Sequence, residues 1–466
     1  MFRSIATTLG NCFKIPELKS RILFTIMLLA VCRLTAFIVI PGIDGHALAK
    51  FFSENSQSGG GLLVMYNTFA GGALGNCAVG ALGIMPYISA TIIIQLLTAV
   101  WPRLSKLARE EGGRTKIVQY GRYLTVLLCV GQGLYFAHNW LTPEVSFRGF
   151  VGDLVVPGTN IFAYYFVTVT VMTAGTMLLM WLGEQITERG IGNGVSLVIT
   201  IGILARLPNA MQGAYDMFTA HGETAEAQHN FWTTAPVLIA LLVLVVGGVI
   251  AITQAQRKIP VQYAQRAVGR KMYAGGTSFM PLRVNYSGVM PIIFAQSILL
   301  FPQPLFQNLA TWFGKVPFLH DFFIACATQL NYGSFVYLSI YALMILFFSY
   351  FWVATQFNEI QIADDLKKNG GYIPGVRPGT GTSDYLHHAM SRITLAGAIF
   401  LTVIATIPII LSRQMGIDQN VASFFGGTSI LIAVGVLLDT MRQVEAHLMM
   451  RHYDGFLKKG RIRGRF

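Results

Sequence analysis

A few places in this 466-residue sequence hold residues whose types and spacing could do chemistry. Gly190-Ile191-Gly192-Asn193-Gly194 has the glycine density of a loop that turns backbone N–H groups onto a phosphate. Position 195 is Val, so the next glycine of a GxGxxG pattern is absent, and the stretch reads as a turn between two helices. His387-His388 is a lone pair on a loop, short of a metal-ligand set. Cys12, Cys32, Cys77, Cys129 and Cys326 are odd in number, scattered and without a CxxC pair, so they predict neither a disulfide framework nor a metal site. No HExxH, GxSxG or Walker A pattern occurs. The apolar runs hold no paired carboxylates; Arg33 lies near the middle of the first run, and Glu184 and Asp439 lie at run ends. The reading is a chain with no catalytic residues, no cofactor and no metal: not an enzyme, with any energy supplied by a partner.

The surrounding elements are built for lipid. Hydrophobic residues make up 53% of the chain and charged residues 12%, against roughly 25% charged in soluble domains. The mean hydropathy is +0.55. So few charges cannot cover soluble domains of this length, and the balance also excludes a disordered chain, a collagen and a disulfide scaffold. Apolar runs stand at 22–40, 77–97, 118–137, 160–182, 191–207, 234–254, 286–306, 334–355, 391–411 and 428–447, each near the span of a bilayer. The first is too long for a signal-peptide core and lacks a small-residue exit, so it reads as a first span. A further run, 61–74, is Gly-rich and too short to cross; it reads as a re-entrant or interfacial piece.

The net charge of +13 has a direction. Lys and Arg gather before the first run, in alternate loops and in the tail, and leave only Arg33, Lys50, Arg148, Arg206, Lys315 and Arg413 to the first run or the opposite side. Ten spans with both termini cytoplasmic satisfy the positive-inside rule in every loop pair. The predicted fold is an all-α polytopic membrane protein of ten transmembrane helices. Residues 1–207 hold spans 1–5, 208–233 form an external connection, 234–447 hold spans 6–10, and 448–466 form a basic cytoplasmic tail. Cytoplasmic loops 255–285 and 356–390 are basic, rich in turn signals and longer than a connection needs. Five spans followed by five are compatible with an inverted repeat. A proton- or ion-coupled transporter usually carries ionisable groups inside its spans. Their scarcity here suits a passive pore for a bulky, variable substrate.

Several motifs in order then resemble the SecY family, channel subunits of the bacterial protein translocase. They are Ile15-Pro16-Glu17-Leu18, Pro41-Gly42-Ile43-Asp44, Gly71-Gly72-Ala73-Leu74, Gly83-Ile84-Met85-Pro86-Tyr87-Ile88, the run from Trp181 to Gly194, Pro374-Gly375-Val376-Arg377-Pro378-Gly379 and Phe425-Gly426-Gly427-Thr428-Ser429. Asn76-Cys77-Ala78-Val79-Gly80 is less typical of that family, and Val195 stands where Ile is commoner. The resemblance implies a clamshell of two five-helix halves around an hourglass pore, with 61–74 as a plug of the outer funnel. Its plug residues would be Leu62, Leu63, Val64, Met65, Tyr66, Asn67, Thr68, Phe69, Ala70, Gly71 and Gly72, with glycines at both ends as hinges.

Carried over residue by residue, the family's pore ring falls on Ile84, Ile88, Val195, Ile199, Ile293 and Ile432. A girdle of branched aliphatics gates by dewetting and offers no specific bond to a passing chain. Ordinary helix packing would use the same residue types. The implied lateral gate lies between spans 2 and 3 and spans 7 and 8, where Ser89, Thr91, Gln95, Gln296 and Ser297 would act as a latch or as static helix glue. Arg270, Lys271 and Arg377 would dock an anionic cytoplasmic partner. The implied partners are SecE, SecG or an equivalent small subunit, the SecA motor, the ribosome with its nascent chain, signal peptides of secretory proteins, membrane lipid, and SecDF and YidC. The implied location is the bacterial inner membrane. A ten-span secondary transporter is the alternative; an intramembrane hydrolase lacks a catalytic constellation.

Overall fold

Prolines set where many of the helices begin: Pro16, Pro86, Pro102, Pro291 and Pro317 all occupy first-turn positions, where the missing N–H has no intrahelical partner to lose. The computed structural model describes residues 15–45, 48, 50, 66–110, 112–143, 154–156, 160–219, 231–263, 266–268, 271–273, 276–300, 302–314, 316–415, 421, 424 and 427–459. The structure is 76% helical. The chain divides into two units: residues 1–228, 418–421 and 436–466 form the first, and 229–417 with 422–435 the second.

The first unit holds α1 (Pro16–Leu34), α2 (Met85–Val100), α3 (Pro102–Arg109), α4 (Gly113–Leu141), α5 (Ile161–Arg189), α6 (Gly194–Leu204) and α7 (Leu207–Thr219). Helix α1 packs on α5 and α6, α2 packs on α4 and α5, and α4 packs on α5. Among the described residues between α1 and α2, positions 45, 48 and 50 and one turn at 66–69 are helical.

The second unit holds α8 (Phe231–Gln254), β1 (Gln256–Tyr263), β2 (Arg266–Val268), β3 (Lys271–Tyr273), β4 (Thr277–Arg283), α9 (Met290–Leu299), α10 (Pro302–Trp312), α11 (Pro317–Gln329), α12 (Phe335–Gln356), α13 (Glu359–Lys368), β5 (Gly371–Tyr372) and α14 (Thr380–Met415). Helix α12 packs on α9 and α14, and α8 on α14. The last helix, α15 (Thr428–Lys459), has its first turns in the second unit and the rest in the first.

Five helical stretches among the described residues are long and apolar enough to cross a membrane: 161–189, 194–215, 234–254, 335–368 and 380–411. A sixth counts if α2 and α3, bent by 103° at their break, are taken together. Helices α1 and α15 carry several charges, α9 has 10 residues, and α4 is diluted by Gln132, His138 and Asn139. The expected ten spans are compatible with this set.

The boundaries differ from the sequence reading in informative ways. The first helix ends at Leu34, not at residue 40, which puts Arg33 in its last turn rather than mid-span. The second begins at Met85, not at 77, because 71–84 folds as turns with Gly71, Gly72, Gly83 and Cys77 at positive φ. The seventh apolar run, 286–306, is split into α9 and α10. The eleven-residue α6 is short, as expected, but α7 extends it.

The fold is also not purely helical. Loops 255–285 and 356–390 contribute a sheet in the order β4-β1-β5, with Gln256 opposite Arg283 and Gln262 opposite Tyr372, all antiparallel. Alternation along β1 turns Ile259 and Val261 inward. With Leu282 they pack against Val353, Phe357, Ile373, Leu386 and Met390, which gives the two loops a hydrophobic core of their own.

Candidate functional site: a seated re-entrant segment and pore-lining residues

Residues 66–84 contain no Asp, Glu, Lys or Arg, yet they pack inside the first unit with Tyr66, Asn67, Phe69, Leu74, Cys77 and Leu82 buried. Non-helical backbone at membrane depth needs partners from the protein, and this segment has them. The Tyr66 hydroxyl donates to the Leu82 carbonyl at 2.9 Å. Asn67 Oδ1 accepts from the Gly75 amide at 3.0 Å. Asn76 Nδ2 donates to the Ala36 carbonyl at 3.2 Å. The Ile40 amide donates to the Cys77 carbonyl at 3.0 Å, and the Val79 and Gly80 amides to the Ile38 and Thr35 carbonyls at 2.8 and 3.0 Å, which ties 35–40 to 77–80.

Glycines make the seat close. A Cβ on Gly71 would lie 3.0 Å from the Gly202 Cα of α6 and 2.6 Å from Arg33 Nη1; one on Gly175 of α5 would lie 2.2 Å from the Val79 carbonyl oxygen. Arg33 Nη1 donates to the Gly71 carbonyl at 2.8 Å. Tyr66 also meets Phe136 of α4, ring centroids 5.3 Å apart. Of the plug residues expected from the sequence, Tyr66 to Gly72 therefore sit in a cradle of α1, α4 and α6, while Leu62, Leu63, Val64 and Met65 lie outside the described residues.

The Gly190–Gly194 turn is a structural junction. Its Ile191 amide donates to Thr25 Oγ1 of α1 at 3.1 Å, and its Gly192 amide to Gln443 Oε1 of α15 at 2.9 Å. Asn193 caps α6 by accepting from the Ser196 amide. The Gly194 amide donates to Thr187 Oγ1 at 2.9 Å, whose hydroxyl bonds the Gly183 carbonyl. A Cβ on Gly194 would stand 1.9 Å from that carbonyl oxygen, so only glycine fits. Ile191 packs between Leu18 and Val444.

This junction aims two pore-ring candidates. A Cβ on Gly183 would lie 3.6 Å from both Ile84 Cδ1 and Val195 Cγ2, so the two side chains converge on one glycine. Ile84 is the N-cap of α2 rather than a helical residue, so it and Ile88 share a face only approximately. Ile88 and Ile199 are buried, Val195 partly so. In the second unit Ile293 on α9 and Ile432 on α15 are buried. There Gly435 of α15 would put a Cβ 2.2 Å from Val289 Cγ1, four residues before Ile293.

The polar gate candidates behave differently from a cross-helix latch. Thr91 Oγ1 donates to Ile88 O at 2.8 Å and Ser297 Oγ to Ile293 O at 2.7 Å, each within its own helix. Ser89 Oγ, Gln95 Oε1 and Gln296 Oε1 are buried with no hydrogen-bond partner among the described residues. Arg377 is exposed in a turn braced by Gly375 at φ 82°, Gly379 at φ 97° and a Thr382 hydroxyl bond to its carbonyl at 3.0 Å. Lys271 lies in β3, and Arg270 lies outside the described residues. His387 Nδ1 meets Glu359 Oε1 at 2.9 Å, an exposed pair rather than a metal ligand set.

Sequence reading missed the seat itself: Arg33 on Gly71, and Arg206 beside Thr68 with Nη1 to Oγ1 at 3.4 Å. The available signal was a cation within or at the end of an apolar run, which requires a polar partner.

Apolar helices, a folded polar loop region and an uncharged re-entrant segment define a polytopic helical membrane protein of the channel type. The SecY family model matches residues 78–441. The protein translocase subunit SecY of Chlamydia muridarum (strain MoPn / Nigg) is 43% identical over 467 residues, covering 98% of this chain and 99% of that relative. The chain belongs to the SecY family, a family of protein-translocation channels and not of enzymes, which sets aside the secondary-transporter alternative. Two solved structures share the fold. A protein conducting channel matches with TM-score 0.59 at 16% identity over 95% of this chain and 94% of its own. Sec61 in the canine ribosome-channel complex from the endoplasmic reticulum matches with TM-score 0.54 at 16% identity over 95% and 94%.

The junction makes a direct prediction. Gly194→Ala forces overpacking against the Gly183 carbonyl and lowers stability by roughly 1–3 kcal/mol or more. Gly247→Ala in α8, where a Cβ would meet nothing within 4 Å, leaves stability unchanged or higher. Thermal unfolding of the two purified variants in detergent checks this, and equal midpoints would refute the junction.

Proposed function

We propose that the chain is a protein-conducting channel that passes unfolded secretory proteins across the bacterial inner membrane and releases apolar segments into lipid. The observation that carries this reading is the uncharged segment 66–84, folded into the first unit of a SecY-family chain by hydrogen bonds without ion pairs and by glycine contacts. A seal held this way closes against ions and still comes away without separating buried ion pairs. Residues 62–72 act as the plug. Ile84, Ile88, Val195, Ile199, Ile293 and Ile432, which match the family's pore ring, supply an aliphatic constriction. Ser89, Thr91, Gln95, Gln296 and Ser297 mark the exit for apolar segments. Ser89 Oγ is buried with no hydrogen-bond partner among the described residues, so it makes no bond that must break when helices part.

Both termini and the sheet of loops 255–285 and 356–390 face the cytoplasm, as the Lys and Arg distribution supports. The partners are SecE as a clamp, SecG or an equivalent, the SecA motor and the ribosome; the likeness to Sec61 in a ribosome-channel complex supports the last. Purification from native membranes tests the reading: a small clamp subunit and ribosomes or SecA should accompany the chain. Recovery of the chain alone, with saturable small-solute uptake by vesicles, would overturn it.

The constriction should tolerate aliphatics and fail with polar groups. Ile432→Asn places a wettable amide at a fully buried position, where an unpaired polar group costs about 1–3 kcal/mol. It should raise resting conductance and ease export of proteins with weakened signal sequences, while Ile432→Leu does little. Equal conductance of the two variants in planar bilayers would contradict a hydrophobic seal.

Arg377 should act in docking and not in folding, since its side chain is exposed and its turn is held through its backbone carbonyl by the Thr382 hydroxyl. Arg377→Glu should insert at normal abundance yet translocate poorly, because loss of a close charge contact costs roughly 2–5 kcal/mol. Degradation of the variant would show that the residue is structural.

A further inference from the structure

Two arginines that no pore, gate or docking role uses converge on the re-entrant segment. Arg33 closes α1 and Arg206 stands between α6 and α7, so the two belong to different elements. Arg33 Nη1 donates to the Gly71 carbonyl at 2.8 Å, and Arg206 Nη1 reaches Thr68 Oγ1 at 3.4 Å. A Cβ built on Gly72 would meet Arg206 Nε at 3.8 Å, so the guanidinium lies along the segment and not only at its tip. Both arginines are half-buried as residues. Among the described residues neither has a carboxylate within ion-pair distance, and 66–84 carries no charge. Each cation therefore spends donors on neutral acceptors of the segment.

We infer that Arg33 and Arg206 form a two-point latch on the resting plug, with Arg33 holding the Gly71 carbonyl and Arg206 the Thr68 hydroxyl. This rests on the plug reading above. Arginine suits the task because it keeps its charge and offers five donors in a fixed fork. Its bonds to neutral oxygens are stronger than neutral–neutral ones but leave no counter-charge stranded when they break. As the plug leaves, the donors must find water or an acceptor on the passing chain. Departure is thereby coupled to wetting of the space the plug vacates. The Arg206–Thr68 arm is the longer contact and so the adjustable one; Arg33, on a backbone carbonyl beside the Gly71–Gly202 contact, is the anchor.

The test uses the full-length channel with its co-purifying subunits in planar bilayers, reading resting open probability. Arg206→Leu and Thr68→Val should each raise it about fivefold, the effect of losing one modest hydrogen bond. Arg206→Lys should lie between Arg206→Leu and the parent. Arg206→Leu with Thr68→Val should open less often than the product of the two single effects, since the pair shares one contact. Arg33→Met should raise open probability further than Arg206→Leu. Deletion of 66–72 separates the two claims. If the deletion leaks while Arg206→Leu and Thr68→Val stay as tight as the parent, the plug stands and the latch is wrong. If the deletion does not leak, the plug reading fails. Additive effects of Arg206→Leu and Thr68→Val would also overturn the pairing, and if Arg206→Leu fails to insert, Thr68→Val alone decides.

Discussion

Backbone that leaves the helix inside a membrane must find its hydrogen bonds within the protein, and the stretch from Tyr66 to Ile84 is where this chain meets that demand. Its amides and carbonyls are met by its own turns, by the backbone of 35–40 and by side chains of Tyr66, Asn67 and Arg33, while Asn76 ties it to the Ala36 carbonyl. Other features of the first unit follow from that arrangement. The first helix stops at Leu34 because the next residues are needed as partners for 76–80. The second starts only at Met85, where Pro86 allows a helix to begin. Arg33, which would be expensive in an unbroken span, has a carbonyl to bind.

The second physical theme is close approach through glycine. Gly71 meets Gly202, Gly175 meets the Val79 carbonyl, Gly194 meets the Gly183 carbonyl, and Gly435 meets Val289. In lipid, helices gain no hydrophobic advantage by associating, so dispersion contacts and small residues at interfaces carry the association. These contacts also fix direction. Gly183 is the point on which Ile84 and Val195 converge, and the Gly190–Gly194 turn, tied to Thr25 and Gln443, sets how α6 departs from α5. A turn with the look of a phosphate loop is thus a joint, its amides spent on Thr25, Gln443 and Thr187.

Much of this was legible in the sequence because composition in a membrane is constrained. The apolar runs, the Gly-rich piece too short to cross and the distribution of Lys and Arg predict the membrane class and the re-entrant segment. Exact helix ends were not legible: 77–84 is as apolar as a span, and only the glycine at 83 and the strained Cys77 at φ 47° mark it as turns. The sheet was missed because its inward set is small, Ile259 and Val261 in β1 and Leu282 in β4, while its neighbours Arg257, Lys258 and Arg283 read as loop charge. The partners of Arg33 and Arg206 were missed because they are a carbonyl and a hydroxyl 38 and 138 residues away, which leave no charge pattern to read.

The central claim is that 66–84 is a folded, hydrogen-bonded seat at rest, and that the plug end of it is released when the channel opens. Amide hydrogen exchange in lipid nanodiscs measures this most directly, with and without a stalled secretory chain. At rest the amides of Gly72, Gly75, Ala78, Val79 and Gly80, each bonded within the first unit, should be protected. With a chain in the channel, protection at 66–72 should fall while Val79 and Gly80 stay protected by 35–40. Fast exchange throughout 66–84 at rest, or unchanged protection at 66–72 with a chain engaged, would contradict the account.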